Sequence, residues 1–252
     1  MIQKSFDVIN KSDINALISN EVRESRTIDY KKELPGKTDD EKKELLADIS
    51  SFANAGGGDI VFGVEEEEGI PKKAEGVTGD LDAEKLRIES IIRDGLQPRI
   101  TGIGIKIVEG FSKGSVLVVR VPKSWNAPHM VTFKNTSKFF TRNSAGKFQM
   151  DVMEIKNAFL QSQELPERIR RFRDERLGKI ISDETPVRLF TGSRIIIHIL
   201  PVASFLDEIR LAINEIEKNL LKLKPPYGHM GNYRINLDGV VTSSSNDPIQ
   251  GL

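Results

Sequence analysis

The clearest periodic signal lies between Asp40 and Asn54, where Leu45, Leu46, Ile49, Phe52 and Ala53 recur at helical spacing and predict one amphipathic helix. Asn54-Ala55-Gly56-Gly57-Gly58 stops it. Before it, Thr27 to Lys31 alternates as a strand, with Ile28 and Tyr30 on one face and Asp29 and Lys31 on the other. After it, Ile60-Val61-Phe62-Gly63-Val64 reads as a buried strand. A short helical pattern precedes these at Ser12–Ser19, and another runs from Asp80 to Asp94, capped by Asp80 or Asp82, with Leu86, Ile88, Ile91 and Ile92 turned inward. Ile100–Val108 and Ser115–Val121 read as a hairpin around Glu109–Gly114, and Met130–Phe133 with Lys138–Arg142 as a second pair. A helix over Asp151–Gln161 closes this block. The order is mixed, with antiparallel pairs and one helical crossover, and predicts the α+β class.

Three segments follow from this pattern: a main domain over 1–160, a connector helix over 161–180 and a smaller α/β unit over 181–252. The connector is basic and amphipathic, with five arginines against three acids between Pro166 and Gly178. The last unit holds a strand at Arg194–Leu200, a helix from about Phe205 to Lys222, and a strand at Arg234–Val241 with no evident partner. That unpaired strand reads as the point where a longer protein was cut.

Composition narrows the picture only a little. Lysine plus arginine equals aspartate plus glutamate, 37 against 37, so net charge selects no partner, although local segregation of charge still permits nucleic-acid binding. The absence of cysteine excludes disulfides and thiolate chemistry. The apolar runs are strand-sized and Met1–Asp7 lacks a signal-peptide stretch, so the expected location is cytoplasmic, with no membrane partner.

Three features coincide in the first seventy residues. Glu24-Ser-Arg-Thr-Ile-Asp29-Tyr-Lys31 sets two acids five apart with a lysine beyond; Phe52-Ala53-Asn54 leads into glycines; Gly63-Val64 leads into Glu65 and Glu66. Together with Val121-Pro122-Lys123-Ser124, Ala127-Pro128-His129 and Phe139-Phe140-Thr141-Arg142-Asn143, this resembles the AlbA-like domain of the Schlafen family over roughly Val22–Phe159. The resemblance implies a mixed AlbA-like sheet with helices packed on it. It also implies a metal-dependent endoribonuclease acting on RNA, notably tRNA, in which Glu24, Asp29 and Glu66 hold Mg²⁺ or Mn²⁺ and Lys31 stabilises phosphate. Asp29 stands where the family usually has Glu, and Glu66 where it often has Asp. A role in defence against phage follows from the family alone. Schlafen nucleases pair two related lobes into a groove, and no second acid-and-glycine signature follows Glu164, so a comparable groove requires a homodimer or larger homo-oligomer.

The chemistry suits these residue types. Hard divalent ions prefer carboxylate oxygens, and a lysine two residues from Asp29 shares its strand face and can offset developing charge on a phosphate. Spacing alone gives the plainer reading, a solvated Asp29–Lys31 contact worth less than ~1 kcal/mol. A second function stays open, a non-catalytic DNA- or RNA-binding or regulatory module whose affinity falls with salt. ATP binding is a third, poorly supported because Gly56-Gly57-Gly58 follows a helix and precedes a strand, the reverse of a phosphate-cradling loop. Arg142 and Asn143 with Lys134, Lys138 and Lys147 form a candidate phosphate-contacting loop cluster. Trp125 offers a base-stacking surface or a loop anchor, Asn54 an orienting group or a cap, and His129, His198 and His229 show no metal-ligand spacing.

Overall fold

Alternation on β1 (Ile28–Lys31) sets the frame, because its two faces enter two different cores. Ile28 and Tyr30 join a core with Ile9, Ile14 and Leu17 on the side of helix α1 (Lys11–Ser19). Asp29 and Lys31 therefore face the opposite side, where α2 (Asp39–Asn54) packs. The computed structural model describes residues 1–185, residue 218 and the backbone of 232–236 and 239–243. The strand expected at 194–200, most of the helix expected at 205–222, and His198 and His229 lie outside the described residues.

The central sheet has the order β1-β2-β7-β6, with β2 at Gly58–Phe62, β6 at Gly104–Val108 and β7 at Val116–Val121. β1 and β2 run parallel across α2, the helical crossover expected from the sequence, and the other pairs are antiparallel. Ile60, Phe62, Leu117 and Val119 meet Leu45, Ile49 and Phe52 of α2 and Ile88 and Ile92 of α3 (Leu81–Gly95) in the larger core. Asp80 caps α3 by accepting from Ala83 N at 3.0 Å. Leu86, expected inward, lies outside at 67% exposure, because α3 turns only its Ile88–Ile92 side to the sheet.

A second sheet of order β10-β9-β8-β5 lies against α2, with β5 at Leu96–Gln97, β8 at Met130–Val131, β9 at Lys138–Asn143 and β10 at Gly146–Gln149. Asn54 fastens it to the end of α2. Its amide donates to His129 O at 3.0 Å and Phe140 O at 2.8 Å, and its Oδ1 accepts from His129 N at 2.7 Å. Asn54 is thus a clamp between layers, neither helix cap nor site residue. The helix ends instead at Ala55, and Gly57 turns back at φ +72° with its N–H on Phe52 O at 2.9 Å. A Cβ at Gly57 would stand 2.6 Å from Lys123 N and 2.8 Å from Val121 O. Gly57→Ala is therefore expected to cost about 2–3 kcal/mol in chemical denaturation, through left-handed backbone strain and collision with main chain.

Several boundaries differ from the sequence reading. The run Ile60–Val64 is interrupted at Gly63, and Val64 starts a separate hairpin of β3 (Val64–Glu67) and β4 (Ile70–Ala74), with a register shift between Glu65 and Glu66. The strand expected from Ile100 begins at Gly104. The helices expected at 151–161 and 164–177 are one, α4 (Val152–Ile181), which continues through Pro166. Arg234–Val241 is not one unpaired strand but part of two, β11 (Asn232–Asn236) and β12 (Gly239–Ser243), paired antiparallel. Contacts divide the chain into units at Met1–Gln163 and Glu164–Leu252.

The first residues are tied to the central sheet by a buried ion pair. Asp59 on β2 stands directly opposite Arg120 on β7, and the guanidinium donates to its two oxygens at 2.7 and 3.0 Å. Ile2 N donates to Asp59 Oδ2 at 2.6 Å, while Arg120 also donates to Lys4 O at 2.8 Å and Ile2 O at 2.9 Å.

Candidate functional site

Glu24 and Asp29 lie together in the fold. Glu24 precedes β1, and the chain doubles back through a Ser25–Ile28 bridge so that its Oε1 accepts from Tyr30 N at 2.8 Å. Its carboxyl group lies within hydrogen-bonding reach of that of Asp29. Burial pushes Glu24 up to about 7, with the neighbouring Asp29 and Glu66 charges adding to the rise. Asp29 moves the other way. Burial alone would raise it, but Lys31, the bond from Glu24 and Arg142 together hold it below its ordinary value. Two touching carboxyls thus differ in protonation, one retaining a proton near neutrality and one ionised.

Asp29 is only 7% exposed, so its pair with Lys31 is not the solvated contact that spacing alone allowed. Lys31 Nζ lies 3.2 Å from Asp29 Oδ1 and 3.9 Å from Oδ2 of Asp48 on α2. Arg142 Nη2 donates to Asp29 Oδ2 at 3.3 Å, and the guanidinium stacks 3.6 Å from the Phe52 ring centre. Glu66 is close enough to raise Glu24, but it is exposed on β3 and its Oε2 accepts from Gly69 N at 2.6 Å. Both Asp29 oxygens are therefore engaged by cations and one Glu66 oxygen by main chain. Among the described residues no three His, Cys, Asp or Glu side chains are grouped to hold a metal ion. As arranged, these acids do not form a three-donor cage.

The basic loop cluster does not form as expected. Arg142 is buried at 5% exposure, and Lys147 turns onto Glu44 and Asp48, so both face inward. Lys134, which pairs with Asp39 at 3.5 Å, Lys138 and Asn143 remain at the surface. Asn143 Oδ1 accepts from Ala145 N at 2.8 Å and shapes its own turn. Trp125 is 54% exposed and anchors nothing in the core. His129 is fully buried, with Nδ1 2.6 Å from Pro98 O, a structural residue. Sequence reasoning missed Asp48, because an acid within an apolar helix stripe carries no local sign that two lysines will meet it.

A family model described as Schlafen, AlbA_2 matches residues 24–151. The chain belongs to that family. Its Schlafen AlbA_2 domain thus includes Glu24, Asp29, Lys31, Glu66, Asp48 and Arg142. Family membership points to a function connected with nucleic acid. No curated protein matches the chain. Among solved structures, the DIP2311 protein of Corynebacterium diphtheriae is similar at 16% identity and a TM-score of 0.38, over 55% of this chain and 29% of that one. The chain thus spans under a third of that protein's length. The N-terminal domain of a Nitrosomonas europaea protein, described as related to the ATP-dependent DNA helicase RecG, is similar at 21% identity and a TM-score of 0.39, over 54% of this chain and 92% of that domain. No helix among the described residues is long and apolar enough to cross a membrane.

The opposed shifts of Glu24 and Asp29 have a consequence for stability. An unfolded Glu24 titrates near 4.5 and the folded one near 7, so folding takes up a proton between those values. The stability due to that proton is complete below about 4.5 and is lost as pH rises through 7. Glu24 is half-buried, and solvent screening reduces the effect to about 1 kcal/mol. Glu24→Gln removes it, so in thermal melts the variant is expected to gain on the wild type between pH 5 and pH 8.

Proposed function

We propose that this domain is an endoribonuclease acting on RNA, tRNA included, with Glu24, Asp29 and Lys31 as its working groups. The observation that carries the reading is the contact between a proton-retaining and an ionised carboxyl group beside a lysine ammonium that is 37% exposed. Cleaving RNA by its own 2′-hydroxyl needs a group that takes the hydroxyl proton, a group that returns a proton to the leaving 5′-oxygen, and a cation on the phosphate. Glu24, poised near neutrality, suits the proton transfers. Asp29 orients it through their shared bond, and Lys31 is the only one of the three that can meet a phosphate oxygen with positive charge.

A second reading, a nucleic-acid-binding module without catalysis, is favoured by the engagement of both Asp29 oxygens by Lys31 and Arg142. Incubating the protein with tRNA, single-stranded RNA and DNA separates the two. Cleavage of RNA but not DNA, lost in Glu24→Gln and Asp29→Asn, supports the enzyme; salt-sensitive binding with intact RNA supports the module. Adding Mg²⁺ or Mn²⁺ and then a chelator decides whether the divalent ion that the resemblance implies takes part.

A further inference from the structure

Asp48 is a buried acid on α2. It sits in the helix's buried stretch from Leu45 to Ala53, at 4% exposure, within a helix whose neighbouring residues fill the larger core. A buried carboxylate of this kind destabilises unless it is paired and satisfied. Its two oxygens face two lysines from different elements. Lys147 Nζ on β10 donates to Oδ1 at 2.8 Å, and Lys31 Nζ on β1 lies 3.9 Å from Oδ2. Lys147 also pairs with Glu44, one helical turn earlier on α2. The charges alternate from Arg142 through Asp29, Lys31, Asp48 and Lys147 to Glu44. Within that series the side chains of Lys31 and Glu44 keep substantial exposure, 37% and 63%, while those of Arg142, Asp29 and Asp48 are nearly buried.

We propose that Asp48, held in place by Lys147, is a positioning residue that fixes the Lys31 ammonium between α2 and Asp29, so that it can receive a phosphate of bound RNA. The proposal rests on the reading of Lys31 as the phosphate-contacting group. Lys31 Nζ lies nearer Asp29 than Asp48, 3.2 Å against 3.9 Å, and the second acid on the facing helix adds a pull toward α2 that limits where the ammonium can turn. Asp48 itself is nearly buried, so its effect passes through Lys31. A misplacement of about 1 Å in such a group costs on the order of a hundredfold in rate.

A double-mutant cycle tests this, with Lys31→Met, Asp48→Asn and the combined variant compared for RNA cleavage and for RNA affinity. Asp48→Asn is expected to lower kcat about tenfold to a hundredfold with KM changed less than about threefold. The combined variant should be no slower than Lys31→Met alone, because Asp48 acts only through Lys31. Lys147→Met should give a smaller loss of the same kind, and Asp48→Glu should restore part of the rate. Melting temperatures of all variants show whether each is folded at the assay temperature, and Lys147→Met, which keeps the buried carboxylate, carries the comparison if Asp48→Asn is not. Losses that multiply between Asp48→Asn and Lys31→Met overturn the positioning role while leaving the endoribonuclease reading intact. A wild-type protein that binds RNA without cleaving it overturns the enzyme instead, and the cycle is then read on affinity, where the same non-additivity is expected. Absence of both cleavage and binding overturns both.

Discussion

Asp59→Ala is expected to cost about 3–5 kcal/mol of folding free energy, the range for removing one partner of a buried ion pair. Asp59 has no solvent exposure, and its two oxygens take three donors, two from Arg120 and one from Ile2 N. Removing the carboxylate leaves a guanidinium, 16% exposed, with only carbonyl partners, and leaves the Ile2 amide without an acceptor. The paired change Asp59→Leu with Arg120→Met is expected to cost much less than Asp59→Ala, because nothing charged is then stranded. Urea denaturation of the three proteins checks this. Equal losses for the single and double variants would show that the pair is not what holds the first residues to β2 and β7.

Under the proposed endoribonuclease function, Lys31→Met is expected to lower RNA cleavage by about 10²–10³-fold, or about 2.7–4 kcal/mol of transition-state stabilisation, the usual effect of deleting a positioned charge or donor at a reacting phosphate or carbonyl. Asp29→Asn should have a comparable effect, because it removes the orienting partner of Glu24 and leaves both Lys31 and Arg142 without their shared carboxylate. Folding stability separates the two variants. Lys31 is partly exposed and its replacement should change the melting temperature little, whereas Asp29→Asn disturbs a nearly buried cluster and should lower it measurably. Steady-state cleavage kinetics with melting curves on the same samples provide both readings. A Lys31→Met protein that cleaves at the wild-type rate would remove the lysine from the chemistry.

The parts of this arrangement that could be read from sequence are those set by local period. The stripe from Leu45 to Ala53 and the glycine stop marked α2, and the alternation of β1 placed Asp29 and Lys31 on one face; that this face meets α2 came only with the fold. The Glu24–Asp29 spacing carried through because the turn between them is short. What stayed hidden depends on the second sheet. Arg142 lies in Lys138-Phe139-Phe140-Thr141-Arg142-Asn143, where alternation leaves its side open, and only the packing of β9 on α2 turns it onto Phe52 and Asp29. Lys147 reads as a turn lysine until β10 pairs with β9 and aims it at Asp48. The sequence reads as two helices, at 151–161 and 164–177, yet α4 runs through both without a break. Glu66 was expected at the end of a continuous strand, and the break at Gly63 moves it onto a separate hairpin.

The hydrogen bond from Tyr30 to Glu24 also bears on self-association. β1 lies at the margin of its sheet, and Thr27 and Lys31 give their carbonyls to Asp59 of β2 and to Gly63 just past it, which leaves the Tyr30 amide facing outward. The Glu24 carboxyl group occupies the spot where a foreign strand's carbonyl would dock, so this acid of the proposed site also seals an otherwise sticky border. Glutamine at 24 keeps an acceptor there and preserves the seal; alanine uncovers it and invites strand addition from another molecule.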